Sequence, residues 1–217
     1  MDANCERAAK LDTATLSDAL DRLGIVGQCA RIKPRDPGFR MAGRAFTIQY
    51  GPGGKPVGTV GDFIDDVPAG SVIVLDNRGR TDTTVWGDIL TEIAHRNGVA
   101  GTAINGINRD VTLCLDLQYP VFSIDNWMRT GKDRVQVEGV NVPVDLGGSR
   151  VVPGDIVRGD ADGVVILPSV HEDAILAVAE EIEEAENAIR QSVREGLRLD
   201  EARAKFRYHQ LQTRQES

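Results

Sequence analysis

The sequence predicts a layered α/β domain with a mixed sheet or barrel-like β core and a long C-terminal helical segment. Three observations predict it. An apolar run, a helical-period segment and a second apolar run follow one another between Ser71 and Ile104, the order of a βαβ unit with a crossover connection. Residues 135–167 carry short β-rich runs punctuated by Gly147-Gly148, Pro153-Gly154 and Asp162-Gly163, a hairpin-like spacing. After Pro168 the apolar residues recur at helical period as far as Val193. The chain divides into one α/β domain over residues 1–168 and a helical extension over 169–217, packed on that domain or on a neighbouring subunit.

Taken in order, Leu11 to Leu23 reads as a helix with Thr13 or Thr15 as cap. Leu16, Ala19, Leu20 and Leu23 form its stripe, and Gly24 stops it. Lys33 to Gly43 holds too much Pro and Gly for a helix, and Arg44 to Tyr50 alternates as a strand. The loop at 51–58, GPGGKPVG, resembles a phosphate loop only superficially. Pro56 stands where Ser or Thr would be needed, and no helix pattern opens there. Ser71 to Leu75, ending at Asp76, reads as a strand covered on both faces. Thr84 to Asn97 reads as a helix closed by Gly98. Val99 to Ile104 is a buried strand breaking into the loop Asn105 to Asp110, and Tyr119 to Ile124 is a further strand. Ser169 to Glu172 fits a capping box, with Ile175, Val178, Ile182, Ala185, Ile189 and Val193 as the seam of the helix that follows and Gly196 as its end.

Composition narrows the function classes. The 217 residues balance 25 Lys and Arg against 33 Asp and Glu, a net charge of −8, which disfavours nucleic acid as partner. Hydrophobic residues at 41% over this length bury a core without metal or disulfide staples. Cys5, Cys29 and Cys114 are odd in number and form no CxxC, and His95, His171 and His209 are equally scattered. That pattern fits neither a disulfide framework nor a zinc site. The N-terminal residues lack an apolar leader core and no window approaches 18 apolar residues, so a soluble, cytoplasmic protein without membrane contact is expected.

Strand ends and helix starts are where α/β folds bind ligands. Two stretches qualify: Gly87-Asp88-Ile89-Leu90 and Asn105 to Asp110. A glycine at 87 admits an anion to the backbone, Arg109 offers a planar fork for a carboxylate or oxyanion, and Asp88 and Asp110 are hard oxygen donors for Mg²⁺ or Mn²⁺. The structural alternative is a surface Arg109–Asp110 pair with Asp88 complementing a helix dipole, and on pattern alone it leads. The GDADG stretch at 159–163 reads as a tight turn, not a calcium loop. Trp86 and Trp127 read as core or interface residues. None of the five lysines, Lys10, Lys33, Lys55, Lys132 and Lys205, lies in a buried-looking run, which disfavours a Schiff-base mechanism.

At these residues the sequence resembles the class II 4-hydroxy-4-methyl-2-oxoglutarate/4-carboxy-4-hydroxy-2-oxoadipate aldolases, which share the fold of the regulator of ribonuclease E activity A. Asp88, twenty residues, then Arg109-Asp110 matches the family signature. Family-like stretches surround it at 11–20, 42–50, 68–76, 98–110 and 151–168. The resemblance implies a β/β/α swivelling-type fold and a homotrimer or homohexamer with the site near a subunit boundary. It also implies an oxo-acid lyase that releases pyruvate from 4-hydroxy-2-oxo di- or tricarboxylic acids, with oxaloacetate decarboxylation as a side activity. By position, the amides of Gly87, Asp88, Ile89 and Leu90 would bind the pyruvate carboxylate and Arg109 would stabilise enolate charge. Asp110 would hold the Mg²⁺ or Mn²⁺, and Asp88 would orient its water and serve the proton transfers. The chain departs from the family at Thr84, where Gly is frequent, at Leu113, where an acid is common, and at Asn105, where Asp is usual. These changes bear on the second half of the substrate and leave the pyruvyl half-site intact. Two other readings stay open: a non-enzymatic regulator that binds an RNA-degrading enzyme, and a metal-enolate lyase or decarboxylase acting on a different 2-oxo acid.

Overall fold

The computed structural model describes residues 2–55 and 58–208. Two helices open the chain. α1 (Ala3–Lys10) is capped by Asp2, whose carboxylate accepts from the Cys5 amide at 2.9 Å. α2 (Thr13–Leu23) is capped by Asp12, which accepts from the Thr15 amide at 2.7 Å, and it ends at Gly24 with φ 67°. The expected helix from Leu11 is therefore shorter, with Asp12 as its cap. Thr13 is instead committed to Asp160, which accepts from both its hydroxyl and its amide.

The strands are β1 (Gln28–Cys29), β2 (Lys33–Pro34), β3 (Met41–Pro52), β4 (Val72–Thr84), β5 (Gly101–Asn108), β6 (Val121–Asn126), β7 (Val135–Val140), β8 (Val144–Leu146), β9 (Ser149–Val151), β10 (Ile156–Asp160) and β11 (Gly163–Leu167). The main sheet runs β1-β11-β10-β3-β4-β5-β6-β2, with β7 on β3 and β8–β9 as a separate hairpin. β3 to β6 are mutually parallel, while β10, β11, β1 and β2 are antiparallel to their neighbours. The sheet is mixed, as expected. Its two end strands, β1 and β2, are joined by residues 30–32 alone, so the sheet must curl back on itself. The Lys33 ammonium donates to the Asp162 carbonyl across that seam. α3 (Asp88–Arg96) and α4 (Val111–Asp116) form the crossovers from β4 to β5 and from β5 to β6.

Alternation on β10 and β11 separates two cores. Val157, Val164 and Ile166 face the larger core with Ile48, Ile73, Leu75, Trp86 and Phe122. Ile156, Val165 and Leu167 face the other, closed by Leu16 and Leu20 of α2 and by α5 (Glu172–Arg194). Within α5, Ile175, Leu176, Ala179 and Ile182 are fully buried and Ile189 nearly so, whereas Val193 of the expected seam is 39% exposed. α6 (Leu199–Lys205) follows, and residues 209–217 of the expected C-terminal extension, His209 among them, lie outside the described residues. Among the described residues no helix is long and apolar enough to cross a membrane.

The expected capping box does not form. His171 occupies the cap position without a side-chain bond, and the Ser169 amide donates to Asp155 at 2.9 Å. Glu172 is drawn instead to Arg44 of β3, at 2.5 Å, and Arg44 also holds Asp2 at 2.6 Å. One guanidinium thus ties β3 to the starts of α1 and α5. Its hydrogen bond holds Asp2 down to about 2, and it also lowers Glu172. Both carboxylates are depressed on folding, so their stabilisation is full above about pH 5 and lost as pH falls from about 4 towards 2. The gap in thermal midpoint between the wild type and Arg44→Met is expected to be largest near neutrality and to shrink by pH 2. A gap that is independent of pH would remove this cluster from the acid response.

Candidate functional site

Beyond Asp76 the pairing of β4 with β5 becomes irregular, with register shifts between Asp76 and Arg80 and between Arg80 and Thr84. β4 continues to Thr84, so α3 starts at Asp88 and not at the Thr84 expected from periodicity. Val85 and Trp86 are buried between strand and helix. Trp86 lies parallel to Tyr119 at 6.2 Å, and its indole N–H donates to Thr91 Oγ1 at 2.9 Å. The Thr91 hydroxyl in turn donates to the Gly87 carbonyl at 2.9 Å. This chain of contacts fixes the first turn of α3 against the core.

Gly87 caps that turn in an extended conformation and supplies no side chain to its amides. Those amides have attracted carboxylates from the chain itself. The Asp88 amide donates to Asp110 Oδ2 at 3.2 Å, and the Ile89 amide donates to Asp88 Oδ1 at 2.8 Å, as the positive end of a helix dictates. A Cβ on residue 87 would stand 2.8 Å from Asp110 Oδ2 and 3.2 Å from Arg109 Nε. A side chain at 87 would therefore push on the Asp110 carboxylate and the Arg109 guanidinium, although the backbone angles there would suit other residues.

Arg109 and Asp110 leave the end of β5. The Arg109 amide donates to the Trp86 carbonyl at 3.0 Å, which locks the two segments together. Its Nε lies 3.1 Å from Asp110 Oδ2, and both side chains are 38% exposed. Asp110 adopts φ 57°, ψ 44°, a left-handed conformation that costs a non-glycine residue about 1–2 kcal/mol. It stands at the cap position of α4 yet makes no side-chain cap bond there, because its carboxylate turns to Arg109 and α3 instead. The strain thus places a carboxylate beside a guanidinium and a helix N-terminus.

The structure brings Gly87, Asp88, Ile89, Leu90 and Arg109 onto one cleft of about 450 Å³. Asp110 is not on that cleft; it lines a smaller cavity of about 260 Å³ with Trp127 and Met128, which shares Arg109 with the cleft. Asn105 does not join them. β5 runs on through Asn108, so the expected loop begins only at Arg109. Asn105 Nδ2 donates to Asp76 at 3.1 Å and to the Asp145 carboxylate at 3.0 Å, on a separate cavity of about 410 Å³. Thr84 does border the main cleft. Leu113 lies in the middle of α4, partly exposed. Trp86 is core, as read, while Trp127 is 41% exposed.

Part of the cleft lining comes from residues distant in sequence. Val60, Ile64 and the exposed Asp62 and Asp65 arrive on a short 3₁₀ helix (Asp62–Asp66) and the turn before it, and Lys132 arrives on the loop after β6. Sequence reasoning missed this part of the lining, because neither segment has a periodic pattern that ties it to Arg109. Asp160 and Gly163 pair across a two-residue hairpin turn, the tight turn expected of GDADG.

Two tests bear on chemistry. All five lysines are exposed, so none has the desolvated setting of a Schiff-base nucleophile. Burial raises Cys29 to about 12, and Cys5 and Cys114 to about 11, so none of the three is an activated thiol. For a divalent cation, no group of three or more His, Cys, Asp or Glu side chains assembles among the described residues. Asp110 Oδ1 and Asp88 Oδ2 nevertheless take no hydrogen bond from described residues, and the two carboxylates meet at the Asp88 amide, which donates to Asp110 Oδ2 at 3.2 Å. Mg²⁺ keeps several waters and needs only one or two protein carboxylates, so this donor set fits a hard, hydrated cation and does not fit a closed zinc cage.

Residues 13–166 match the model of the RraA-like family, described as Aldolase/RraA. The chain belongs to the RraA-like family. It is 38% identical to protein DlpA of Legionella pneumophila over 92% of its own length, although it spans only about a third of DlpA (33%). It is 31% identical to a Halalkalibacterium halodurans protein named "Putative 4-hydroxy-4-methyl-2-oxoglutarate aldolase", covering 78% of each chain. Among solved structures, an uncharacterised protein from Pseudomonas syringae pv. tomato superposes with TM-score 0.87 at 40% identity, covering 93% of this chain and 96% of that one. Streptomyces coelicolor RraAS2, described as an unusual member of the RNase ES inhibitor RraA protein family, superposes with TM-score 0.80 at 27% identity, over 86% and 96%. This RraA-like chain therefore has the α/β fold of that family.

Proposed function

We propose that this chain is a divalent-metal-dependent class II aldolase that cleaves 4-hydroxy-2-oxo di- or tricarboxylic acids to pyruvate and a second oxo acid. The observation that carries the reading is the convergence of Arg109 and Asp88 with the open N-terminus of α3 on one cleft, with the Asp110 carboxylate held by Arg109 and by the Asp88 amide. The relative named as an aldolase supports it. Amides of Gly87 to Leu90 bind the substrate's 1-carboxylate, taking the place that Asp110 and Asp88 oxygens now hold. Asp88 serves the proton transfers. It accepts the C4-hydroxyl proton, the C3–C4 bond breaks, and its electron pair passes into the pyruvate enolate while C4 becomes a carbonyl. Arg109 stabilises the enolate oxygen, and a proton returned to C3 completes pyruvate. Mg²⁺ or Mn²⁺ held by Asp110 would supply Lewis-acid charge at the 2-oxo oxygen. Oxaloacetate reaches the same enolate by losing CO₂, so its decarboxylation accompanies the activity.

Exposed Ile89 at 70% and Met128 at 72% flank the site. They suit a homotrimer or homohexamer in which a neighbouring chain covers them. The same similarity to RraAS2 favours a second reading, a regulator that acts by binding an RNA-degrading enzyme. Pyruvate release from 4-hydroxy-4-methyl-2-oxoglutarate and from oxaloacetate separates the two. The expected result is release with Mg²⁺ or Mn²⁺ and none in excess EDTA. Release from oxaloacetate alone would indicate a decarboxylase or a different aldol substrate, and no release from folded protein would favour the regulator.

A further inference from the structure

The cleft that holds Arg109 carries a second cation. Lys132 lines it from the loop after β6, is exposed, and makes no ion pair or side-chain hydrogen bond with any described residue. A lysine on a loose loop would be an ordinary solvated charge, but this loop is fastened. The Thr84 amide and hydroxyl both donate to the Arg129 carbonyl at 3.0 Å, and the Thr83 hydroxyl donates to the Thr130 carbonyl at 3.1 Å. Between them Gly131 packs so tightly that a Cβ there would stand 2.3 Å from the Thr84 carbonyl oxygen. The Lys132 amide donates to Thr130 Oγ1 at 3.3 Å. Thr84, where the family often has glycine, therefore clamps the lysine's loop to the end of β4, two residues before Trp86.

The remaining charges narrow what the lysine can meet. Asp62, Asp65, Asp88 and Arg109 line the cleft as well, and Val60, Ile64, Leu90 and Ile93 provide apolar surface. An anionic group in the cleft is repelled by these aspartates. Besides Arg109, Lys132 is the one cationic side chain among the described residues that line the cleft.

We propose that Lys132 is the recognition group for a second carboxylate, so that the cleft selects dicarboxylic over monocarboxylic 2-oxo acids, with Thr84 as its positioning residue. The proposal rests on the aldolase reading of the cleft. It assigns the distal end of the substrate, which the Arg109 half-site leaves unspecified.

The test compares 4-hydroxy-4-methyl-2-oxoglutarate with 4-hydroxy-2-oxopentanoate, which lacks the distal carboxylate, in wild type, Lys132→Gln, Thr84→Val and Thr84→Ser. In parallel, calorimetry measures binding of 2-oxoglutarate and 2-oxopentanoate in the presence of Mg²⁺. A charge-assisted hydrogen bond is worth roughly tenfold or more in affinity. Lys132→Gln is expected to raise KM for the diacid about tenfold with kcat within about twofold, and to leave the monoacid unchanged. Thr84→Val is expected to lose part of the diacid preference through KM, and Thr84→Ser to restore it. Unchanged diacid-to-monoacid ratios in Lys132→Gln overturn the proposal. Binding that prefers 2-oxoglutarate and loses that preference in Lys132→Gln, without turnover, upholds the subsite and overturns the aldolase. Neither binding nor turnover overturns both.

Discussion

Arg109→Ala is expected to lower kcat for pyruvate release by about 10²–10³-fold, the usual loss when one preorganised donor to a developing oxyanion is removed. The guanidinium is held from both ends. Its backbone amide is bonded to the Trp86 carbonyl at 3.0 Å, and its Nε faces Asp110 at 3.1 Å. It therefore needs little reorganisation as charge develops. Arg109→Lys keeps the charge but loses the planar fork, and is expected to recover only a small part of the rate. The side chain is 38% exposed, so both variants should unfold within about 1 kcal/mol of wild type. Steady-state kinetics on 4-hydroxy-4-methyl-2-oxoglutarate, with urea unfolding as the control, checks this. Activity of Arg109→Ala within a few-fold of wild type would remove the arginine from the chemistry.

Trp86→Ala is expected to cost about 3–5 kcal/mol of unfolding free energy, the range for truncating a large buried aromatic side chain. The indole is 2% exposed, lies parallel to Tyr119 and donates to Thr91. Trp86→Phe keeps most of the ring contact but leaves the Thr91 hydroxyl without its donor, for an expected loss of about 1–2 kcal/mol. Because Thr91 also holds the Gly87 carbonyl, Trp86→Phe should reduce activity at temperatures where the protein remains folded. Chemical denaturation of the three proteins decides the ranking. A Trp86→Ala variant within about 1 kcal/mol of wild type would show that the cleft floor is not anchored through this residue.

The periodicity of residues 71–104 and 172–189 was legible because each pattern reports burial of its own side chains. The GDADG turn was legible for a similarly local reason, since its residues pair with one another. α1 was not legible. Only Cys5 and Ala8 of it are buried, too few to mark a stripe. The capping box at Ser169 failed because Glu172 found a stronger partner 128 residues away in Arg44, and local patterns do not register such competition.

For the site, the sequence by itself determined the residue types and the Asp88–Arg109–Asp110 spacing, and the family to which that spacing belongs. A glycine before a helix and an Arg-Asp pair after a buried strand are local features, set by short-range sterics and strand alternation. The tertiary structure decided which of the neighbouring polar residues share a cleft. It sent Asn105 to Asp76 and Asp145, kept Arg109 beside α3, and brought the 3₁₀ helix and Lys132 into the lining of the same cleft. The physical reason is that sheet register and crossover packing set the distances between segments. Those are fixed only when β3 to β6 align and the two cores close around them.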